Sequence, residues 1–187
     1  MINRAAPSET TELELITEAQ QGDRAAFGEL VRRHRAGVIT VVYRICGDAN
    51  LAEDMAQEAF LRAWQKLAGY QPRSPFHNWV YRIATNAALD ILRREKEMLN
   101  IDDVSIASPS VGPETLLARD ELGERIKLAI LSLPPASRAV LVLREYESLS
   151  YREIAETLDI PVGTVMSRLN FARTKLRQIL VPYMEER

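Results

Sequence analysis

The chain has 187 residues and a formal net charge of −2, and 47% of its residues belong to the hydrophobic set that fills protein cores. This composition fits one or two globular domains and excludes a disordered chain. A single cysteine excludes an intramolecular disulfide, and with only two histidines we expect no metal and no cofactor. No apolar run reaches the ~18 residues of a membrane span, and the N-terminus has no signal-peptide pattern. We therefore expect a cytoplasmic protein.

Hydrophobic residues recur at helical spacing almost throughout, and no alternating strand pattern of useful length occurs. The pattern predicts an all-α fold. Caps and breakers divide the first half into four helices. The first begins at the capping box of Thr11 and Glu14 and ends at Gly22, and the second runs from Asp23 to Gly47. The third has Asn50 and Glu53 at its cap and ends at Gly69. The fourth begins at Ser74 and Pro75 and ends near Met98.

Residues 99–112 interrupt this periodicity. The segment is polar, contains Pro109 and Gly112, and holds two acids and no base. It is the best candidate for a flexible acidic linker. We therefore predict two small helical domains, 8–98 and 113–187, joined by this segment.

The segment from Ser150 to Arg177 has the pattern of a helix-turn-helix. Ser150 and Glu153 form a capping box, and Leu149 and Ile154 stand where a hydrophobic staple belongs. A short turn at 159–161 leads into the last helix. Many such turns carry glycine where this chain has an aspartate, a residue that tolerates the left-handed conformation.

The last helix has a face suited to DNA. Residues 160–180 contain four bases and no acid, although the whole chain is acidic. Basic and hydroxyl side chains bind phosphates and base edges. The alternative is a helical hairpin with a solvated basic face. The candidate DNA-contacting residues of this face are Thr164, Met166, Ser167, Arg168, Asn170, Phe171, Arg173 and Lys175.

Two further segments carry candidate sites. The window from Trp64 to Arg82 holds five of the chain's twelve aromatic residues, with interleaved basic residues and no acid. This composition suits the binding of unpaired nucleotide bases but also a helical core.

Earlier in the chain, a partly apolar acidic face could dock on a basic partner helix or simply be solvated. That face consists of Asp54, Gln57, Glu58 and Leu61.

Several ordered motifs resemble those of extracytoplasmic-function (ECF) sigma factors over about residues 12–180. They read AFGELVRRH, AEDMAQEAFLRAW, FHNWVYRIATNAALD, LPPASRAVLVL and SYREIAETLDIPVGTVMSRLNFAR. The resemblance implies sigma domain two over 8–98, a linker that threads the polymerase cleft, and sigma domain four over 113–187. It implies a protein that binds core RNA polymerase, directs it to promoters and helps to melt them.

The same resemblance implies roles for individual residues. The acidic face would dock on the clamp helices of the largest core subunit. A minus-ten reader would capture a flipped base of the melted strand. The last helix would read the minus-thirty-five duplex. In that helix, many relatives carry Arg or Lys at the position of Met166. Such proteins are commonly held by an anti-sigma factor, so we expect that partner and no direct membrane insertion. The implied minus-ten residues are Tyr70, Arg73, Phe76, His77, Arg82 and Asn86.

Two other classes of function fit parts of the chain. A conventional helix-turn-helix repressor or activator would leave the Trp64–Arg82 window unexplained. A helical scaffold that binds only proteins would leave the basic last helix unexplained. The sequence shows no glycine-rich phosphate loop and no nucleophile–base pattern, so we expect no enzyme.

Overall fold

The computed structural model describes residues 10–72, 74–101 and 118–185, and these residues form an all-α fold without strands, as predicted. A short 3₁₀ turn, Leu67–Gly69, follows the third helix. The predicted helix restart at Pro113 and most of the 99–112 segment lie outside the described residues. The helices are α1 (Glu12–Gln20), α2 (Arg24–Cys46), α3 (Ala49–Lys66), α4 (Phe76–Ile101), α5 (Ala118–Leu131), α6 (Pro135–Glu145), α7 (Tyr151–Leu158) and α8 (Val162–Glu185).

Helices α1–α4 form the first bundle, with α2 packed against the other three. The predicted capping box begins α1: Glu14 N–H donates to the Thr11 hydroxyl, and Thr11 N–H donates to the Glu14 carboxylate. Asp23 caps α2 as predicted, and Gly47 ends it with a φ of +83°. The apolar faces meet in a core without solvent exposure, which includes Leu30, Val38, Val41, Val42, Ile45 and Phe76.

The predicted start of α3 is wrong. The helix begins at Ala49, and its cap is Asp48, whose carboxylate accepts a hydrogen bond from Leu51 N–H at 2.9 Å. Asn50 therefore lies inside the first turn. Gly47 has a left-handed conformation and turns the chain sharply after α2. Asp48, the next residue, is therefore extended and in position to cap α3. Helix α4 begins at Phe76 and continues to Ile101, three residues beyond the predicted end.

Helices α5–α8 form the second bundle and contain the predicted helix-turn-helix in α7 and α8. Ser150 and Glu153 exchange both bonds of a capping box, at 2.8 and 3.2 Å. Asp159 adopts the left-handed conformation, with φ 54° and ψ 50°. An aspartate is accepted here because its short polar side chain tolerates this geometry. Leu149 and Ile154 are both buried, as a hydrophobic staple requires.

The two bundles pack against each other, with α2 and α4 against α5, α6 and α7. Arg138 of α6 lies at this junction with only 8% of its surface exposed. Its guanidinium donates to the backbone carbonyls of Leu131 and Leu133 in its own bundle and of Ile45 in the last turn of α2. A cation at the carboxyl end of a helix is favourable because the helix dipole is negative there. Arg138 therefore caps α2 across the junction.

Candidate nucleic-acid interface and docking groove

A groove of about 450 Å³ runs between α2 and α3. Its floor is apolar and contains Phe27 and Trp64, whose ring centroids lie 4.9 Å apart. The predicted docking residues Asp54, Gln57 and Leu61 line it, and Leu61 is 52% exposed. Glu58 does not line it; its carboxylate binds Arg62 at 2.7 Å. The sequence analysis did not identify this groove, because Phe27 and Trp64 recur at the spacing of core residues.

The aromatic residues before α4 form a packed cluster. Phe76 has no exposed surface, Tyr70 is 7% exposed, and the Tyr70 and Trp79 ring centroids lie 4.6 Å apart. The Tyr70 hydroxyl donates to the Ser74 carbonyl at 2.8 Å and so ties the loop. Both rings are buried in this structure and shape the loop, and the role of Tyr70 and Phe76 as base contacts stays a prediction. Arg73, also predicted to contact DNA, lies outside the described residues.

Besides Phe76, three predicted minus-ten residues lie along α4. Arg82 is exposed, and Asn86 is half-buried one turn later on the same face. The Asn86 amide makes no side-chain hydrogen bond within the described ranges, so both its donor and its acceptor are available. His77 is half-buried, with its ring 6.1 Å from that of His34. Burial, followed by the neighbouring His34, lowers the pKa of His77 and favours the neutral imidazole.

The first half of α4 contacts the second bundle through polar side chains. Asn78 Nδ2 donates to Glu153 Oε1 at 3.1 Å, and the Tyr81 hydroxyl donates to Glu147 Oε2 at 2.7 Å. Burial and the bond to Glu147 raise the pKa of Tyr81. Arg44 of α2 approaches Glu147 at 3.9 Å. These contacts join residues at least 66 positions apart, and no local sequence pattern could have predicted them.

The residues predicted to read duplex DNA lie along α8, where most of them are exposed. Val165 and Leu169 point into the core, whereas Met166 and Phe171 are 54% and 47% exposed. Ser167, Asn170 and Lys175 are also exposed, and Thr164 and Arg168 are half-buried. Arg173 differs from the others because its guanidinium binds Glu145 of α6 at 2.6 Å, and this bond raises the pKa of Arg173.

Within the described residues, no helix is both long enough and apolar enough to cross a membrane.

Family models match both halves of the chain. Residues 30–97 match Sigma-70 region 2, and residues 123–176 match Sigma-70 region 4. The RNA polymerase sigma-H factor of Pseudomonas aeruginosa is 34% identical, over 92% of this chain and 95% of that protein. The ECF sigma factor SigW of Bacillus subtilis is 36% identical, over 88% and 94%. SigE of Mycolicibacterium smegmatis is 39% identical over 88% of this chain, which spans 66% of that protein.

Solved structures share the fold. CnrH, in complex with the cytosolic domain of CnrY, aligns with a TM-score of 0.67 and 28% identity, over 90% of this chain and 96% of that chain. The sigma factor RpoE, in complex with the anti-sigma factor NepR from Bartonella quintana, aligns with a TM-score of 0.68 and 24% identity, over 82% and 96%. The chain therefore belongs to the ECF RNA polymerase sigma factors, the promoter-recognition subunits that direct transcription initiation with RNA polymerase.

Proposed function

We propose that residues 8–98 act as sigma domain two, residues 113–187 as sigma domain four and 99–112 as the linker between them. The family matches at 30–97 and 123–176 fall inside the two proposed domains and support this division. The chain acts by binding and without catalytic chemistry of its own. It works where core RNA polymerase works, in the cytoplasm.

The groove between α2 and α3 docks on the clamp helices of the largest core subunit. Exposed Leu61 and the ring of Trp64 offer apolar contact in this groove. Two acids and two arginines also line it, but Glu53 already pairs with Arg35 at 3.5 Å, so Asp54 is the carboxylate left for a partner. An apolar groove with a carboxylate fits a partner helix that presents apolar and basic residues. Glu58 lies beside the groove and contributes at its edge.

The exposed face of α8 reads the duplex at minus thirty-five. The observation that supports this role is the combination of exposed Met166 and Phe171 with Arg168 and Lys175, neither of which forms an ion pair within the described part of the chain. Apolar side chains can contact thymine methyl groups, and the cations can bind phosphates or guanine edges.

Helix α4 reads the melted minus-ten strand through Asn86, Arg82 and His77. Asn86 carries this proposal, because its amide is unengaged and can donate to and accept from one base edge. Taking a base out of the duplex costs a few kcal/mol of stacking and pairing. Hydrogen bonds to the exposed base offset part of that cost, and Arg82 on the same face supplies a cation for the backbone.

The experiment is open-complex formation by holoenzyme that contains Asn86→Ala. Permanganate reactivity of promoter thymines should fall roughly tenfold, since one good amide–base contact discriminates by about 1–3 kcal/mol. Part of the defect should persist on a pre-melted template. The matched control is Asn50→Ala, which removes an exposed asparagine from the first turn of α3. Wild-type reactivity of Asn86→Ala on both templates would refute the base-reading role.

We also propose an anti-sigma factor as a partner of this chain. CnrH, which is 28% identical, is held by the cytosolic domain of CnrY in its solved structure. Core RNA polymerase and the anti-sigma factor should compete for this chain. Simultaneous binding of both at full affinity would contradict the proposal.

A further inference from the structure

A cavity of about 350 Å³ lies where α2 and α5 meet. Its lining residues come from α2, from α5 and from Tyr146, which follows α6. The cavity shares no residue with the proposed DNA contacts or with the groove between α2 and α3. Its volume falls in the range of about 300–1,000 Å³ that is typical of small-molecule sites, which occur preferentially where domains meet.

The floor of the cavity is apolar. Ile130 is 6% exposed, and Ile126 and Leu131 are half-buried. Leu131 lies directly against the backbone of Gly47, where a Cβ atom would lie 2.9 Å from Leu131 Cδ2. A Cβ atom at Gly123, by contrast, would meet nothing within 4 Å, so the cavity is open beside this residue. A ligand can therefore enter past Gly123 and cover the apolar floor.

Two partly exposed cations and two tyrosine rings form the edge of the cavity. The Arg44 guanidinium lies 4.0 Å from the centre of the Tyr146 ring, and Lys127 Nζ lies 5.4 Å from the centre of the Tyr43 ring. The Tyr43 side chain is the main cause that raises the pKa of Lys127, so the ammonium stays charged. None of the described lining residues is acidic. The cavity is thus apolar inside and positively charged at its edge.

Both cations have carboxylate neighbours outside the cavity, and both contacts are loose. Lys127 Nζ lies 3.5 Å from Glu124, one turn earlier on α5, and Arg44 lies 3.9 Å from Glu147. Exposed ion pairs contribute little, and 3.9 Å is close to the longest distance of such a contact. A carboxylate beside the apolar floor would be better shielded from water and would bind the same cations more strongly. The groove between α2 and α3 differs, because the charges of two acids and two arginines balance there.

We infer that this cavity is a binding site for a small aromatic carboxylate. The aromatic body of the ligand covers the apolar floor and meets the rings of Tyr43 and Tyr146. Its carboxylate accepts hydrogen bonds from Lys127 and Arg44. The ligand contacts α2 of the first bundle and α5 of the second at once. Because it binds only the folded chain, it raises the stability of that chain by mass action.

The test is a two-dimensional proton–nitrogen NMR titration of the full-length chain with cinnamate, and with cinnamamide as an uncharged ligand of nearly the same shape. The backbone amides of Gly47 and Gly123 are the reporters, because both residues line the cavity. The amides of Gly28 and Gly163, which do not line it, are the reference. Cinnamate should shift the reporters with a Kd on the order of 1 mM. Cinnamamide should bind roughly tenfold more weakly, because it lacks the charge-assisted bonds.

One variant tests the space in the cavity. Gly123→Leu places an apolar side chain in the open side of the cavity and changes no charge, so it should abolish the shift of Gly47 by cinnamate. The matched control is Gly28→Leu, the same change at an exposed helical position where a Cβ atom also meets nothing within 4 Å. Gly28→Leu should bind cinnamate with the affinity of the wild type.

A second variant tests the charge. Lys127→Met keeps the apolar part of the side chain and removes the ammonium, so it should lower the preference for cinnamate over cinnamamide severalfold. The matched control is Lys66→Met, in the last turn of α3, where the lysine is exposed outside the cavity. Lys66→Met should keep the preference of the wild type. An undiminished preference in Lys127→Met would overturn the proposal.

Two further outcomes would overturn the proposal. One is equal affinity of the wild type for cinnamate and cinnamamide, because the cations would then take no part in binding. The other is a set of cinnamate shifts that leaves Gly47 and Gly123 unmoved. Loss of binding in Gly123→Leu but not in Gly28→Leu, together with a higher melting temperature of the wild type in excess cinnamate, supports the site. None of these measurements involves DNA or polymerase, so their failure would leave the proposed function intact.

Discussion

Two arginines on the exposed face of α8 differ in what they already bind. Arg168 forms no ion pair within the described ranges, whereas Arg173 is held by Glu145 at 2.6 Å. A phosphate that recruits Arg173 must first displace that carboxylate. Arg168 therefore offers the larger net gain on binding DNA, although both arginines stand in the same basic segment.

We predict that Arg168→Ala weakens binding to minus-thirty-five duplex more than Arg173→Ala does. If Arg168 contacts a phosphate, its loss should also lower the slope of log K against log salt by about one. Anisotropy over a salt series measures both quantities. Glu145→Ala frees Arg173 and should tighten binding. Equal losses for the two arginine variants, with no gain for Glu145→Ala, would show that the ion pair does not limit Arg173.

His77 gives the fold a pH dependence whose sign is set by its surroundings. The groups that face it are His34 on α2, Glu12 on α1, and Glu147 and Glu153 of the second bundle. Burial comes first among the causes and, with His34, lowers the pKa of His77 below its ordinary value of 6.5. Between the lowered and the ordinary pKa, the unfolded chain therefore binds more protons than the folded one.

We predict that the contribution of His77 to the free energy of unfolding is complete above its ordinary pKa and falls as the pH drops towards the lowered one. Urea unfolding at about pH 8 and about pH 5 should show a smaller loss of stability for His77→Gln than for the wild type. The comparison isolates His77 because His34 is present in both proteins. An identical loss in both would show that His77 does not titrate differently on folding.

At the scale of elements, α2 provides space for the hydroxyl of Tyr81. A Cβ atom at Gly37 would lie 2.8 Å from the Tyr81 hydroxyl oxygen, closer than such atoms approach. A Cβ atom at Gly28, in the same helix, would meet nothing within 4 Å. The two glycines are thus a matched pair, since alanine improves helix propensity by about 0.5–1 kcal/mol at either position.

We predict that Gly37→Ala displaces the Tyr81 hydroxyl from Glu147 and lowers the temperature of thermal unfolding. Gly28→Ala should raise that temperature, because it gains helix propensity without a steric conflict. Thermal melts of both variants check the pair. If the two variants are stabilised alike, the space at Gly37 has no influence on the contact with Glu147.

The elements that sequence reasoning predicted well are those specified by neighbouring residues. The capping boxes at Thr11 and Ser150 lie within four residues of chain, and both form as predicted. The cap of α3 was misplaced because Asp48 and Asn50 are both good capping residues, and only the geometry after Gly47 selects between them. The hydrophobic periodicity also could not predict that Trp64 lies in an open groove, because half-buried and fully buried aromatic residues recur at the same spacing in the sequence.

At the scale of the molecule, sequence reasoning predicted two helical domains but not their contact. That contact depends on bonds between residues 66, 75 and 93 positions apart. Such pairs have no periodicity and no local composition. The burial of Tyr70 could not be predicted for a related reason, because an aromatic, basic window suits both a base-binding loop and a packed core.

The groove between α2 and α3 contains no residue of the second bundle, so it is open to a partner while the two bundles are in contact. We predict that Asp54→Lys raises the Kd for core RNA polymerase about tenfold, mostly through slower association at low salt. Glu58→Lys should have a smaller effect, because Glu58 lies outside the groove and already binds Arg62. Surface-immobilised core enzyme measures both rates.

The matched control for docking is Glu18→Lys on α1, which makes the same charge change on an exposed surface outside the groove. Affinity of all three variants for minus-thirty-five duplex should equal that of the wild type, since α8 contacts neither α2 nor α3 in the described ranges. If Glu18→Lys weakens core binding as much as Asp54→Lys does, the effect reflects net charge and not the groove.

The exposure of α8 has a kinetic consequence for a chain that has not yet met polymerase. In the described ranges, α8 packs only on helices of its own bundle, so its basic face can touch duplex phosphates while the two bundles are in contact. Such a chain should slide and hop along double-stranded DNA through salt-sensitive contacts.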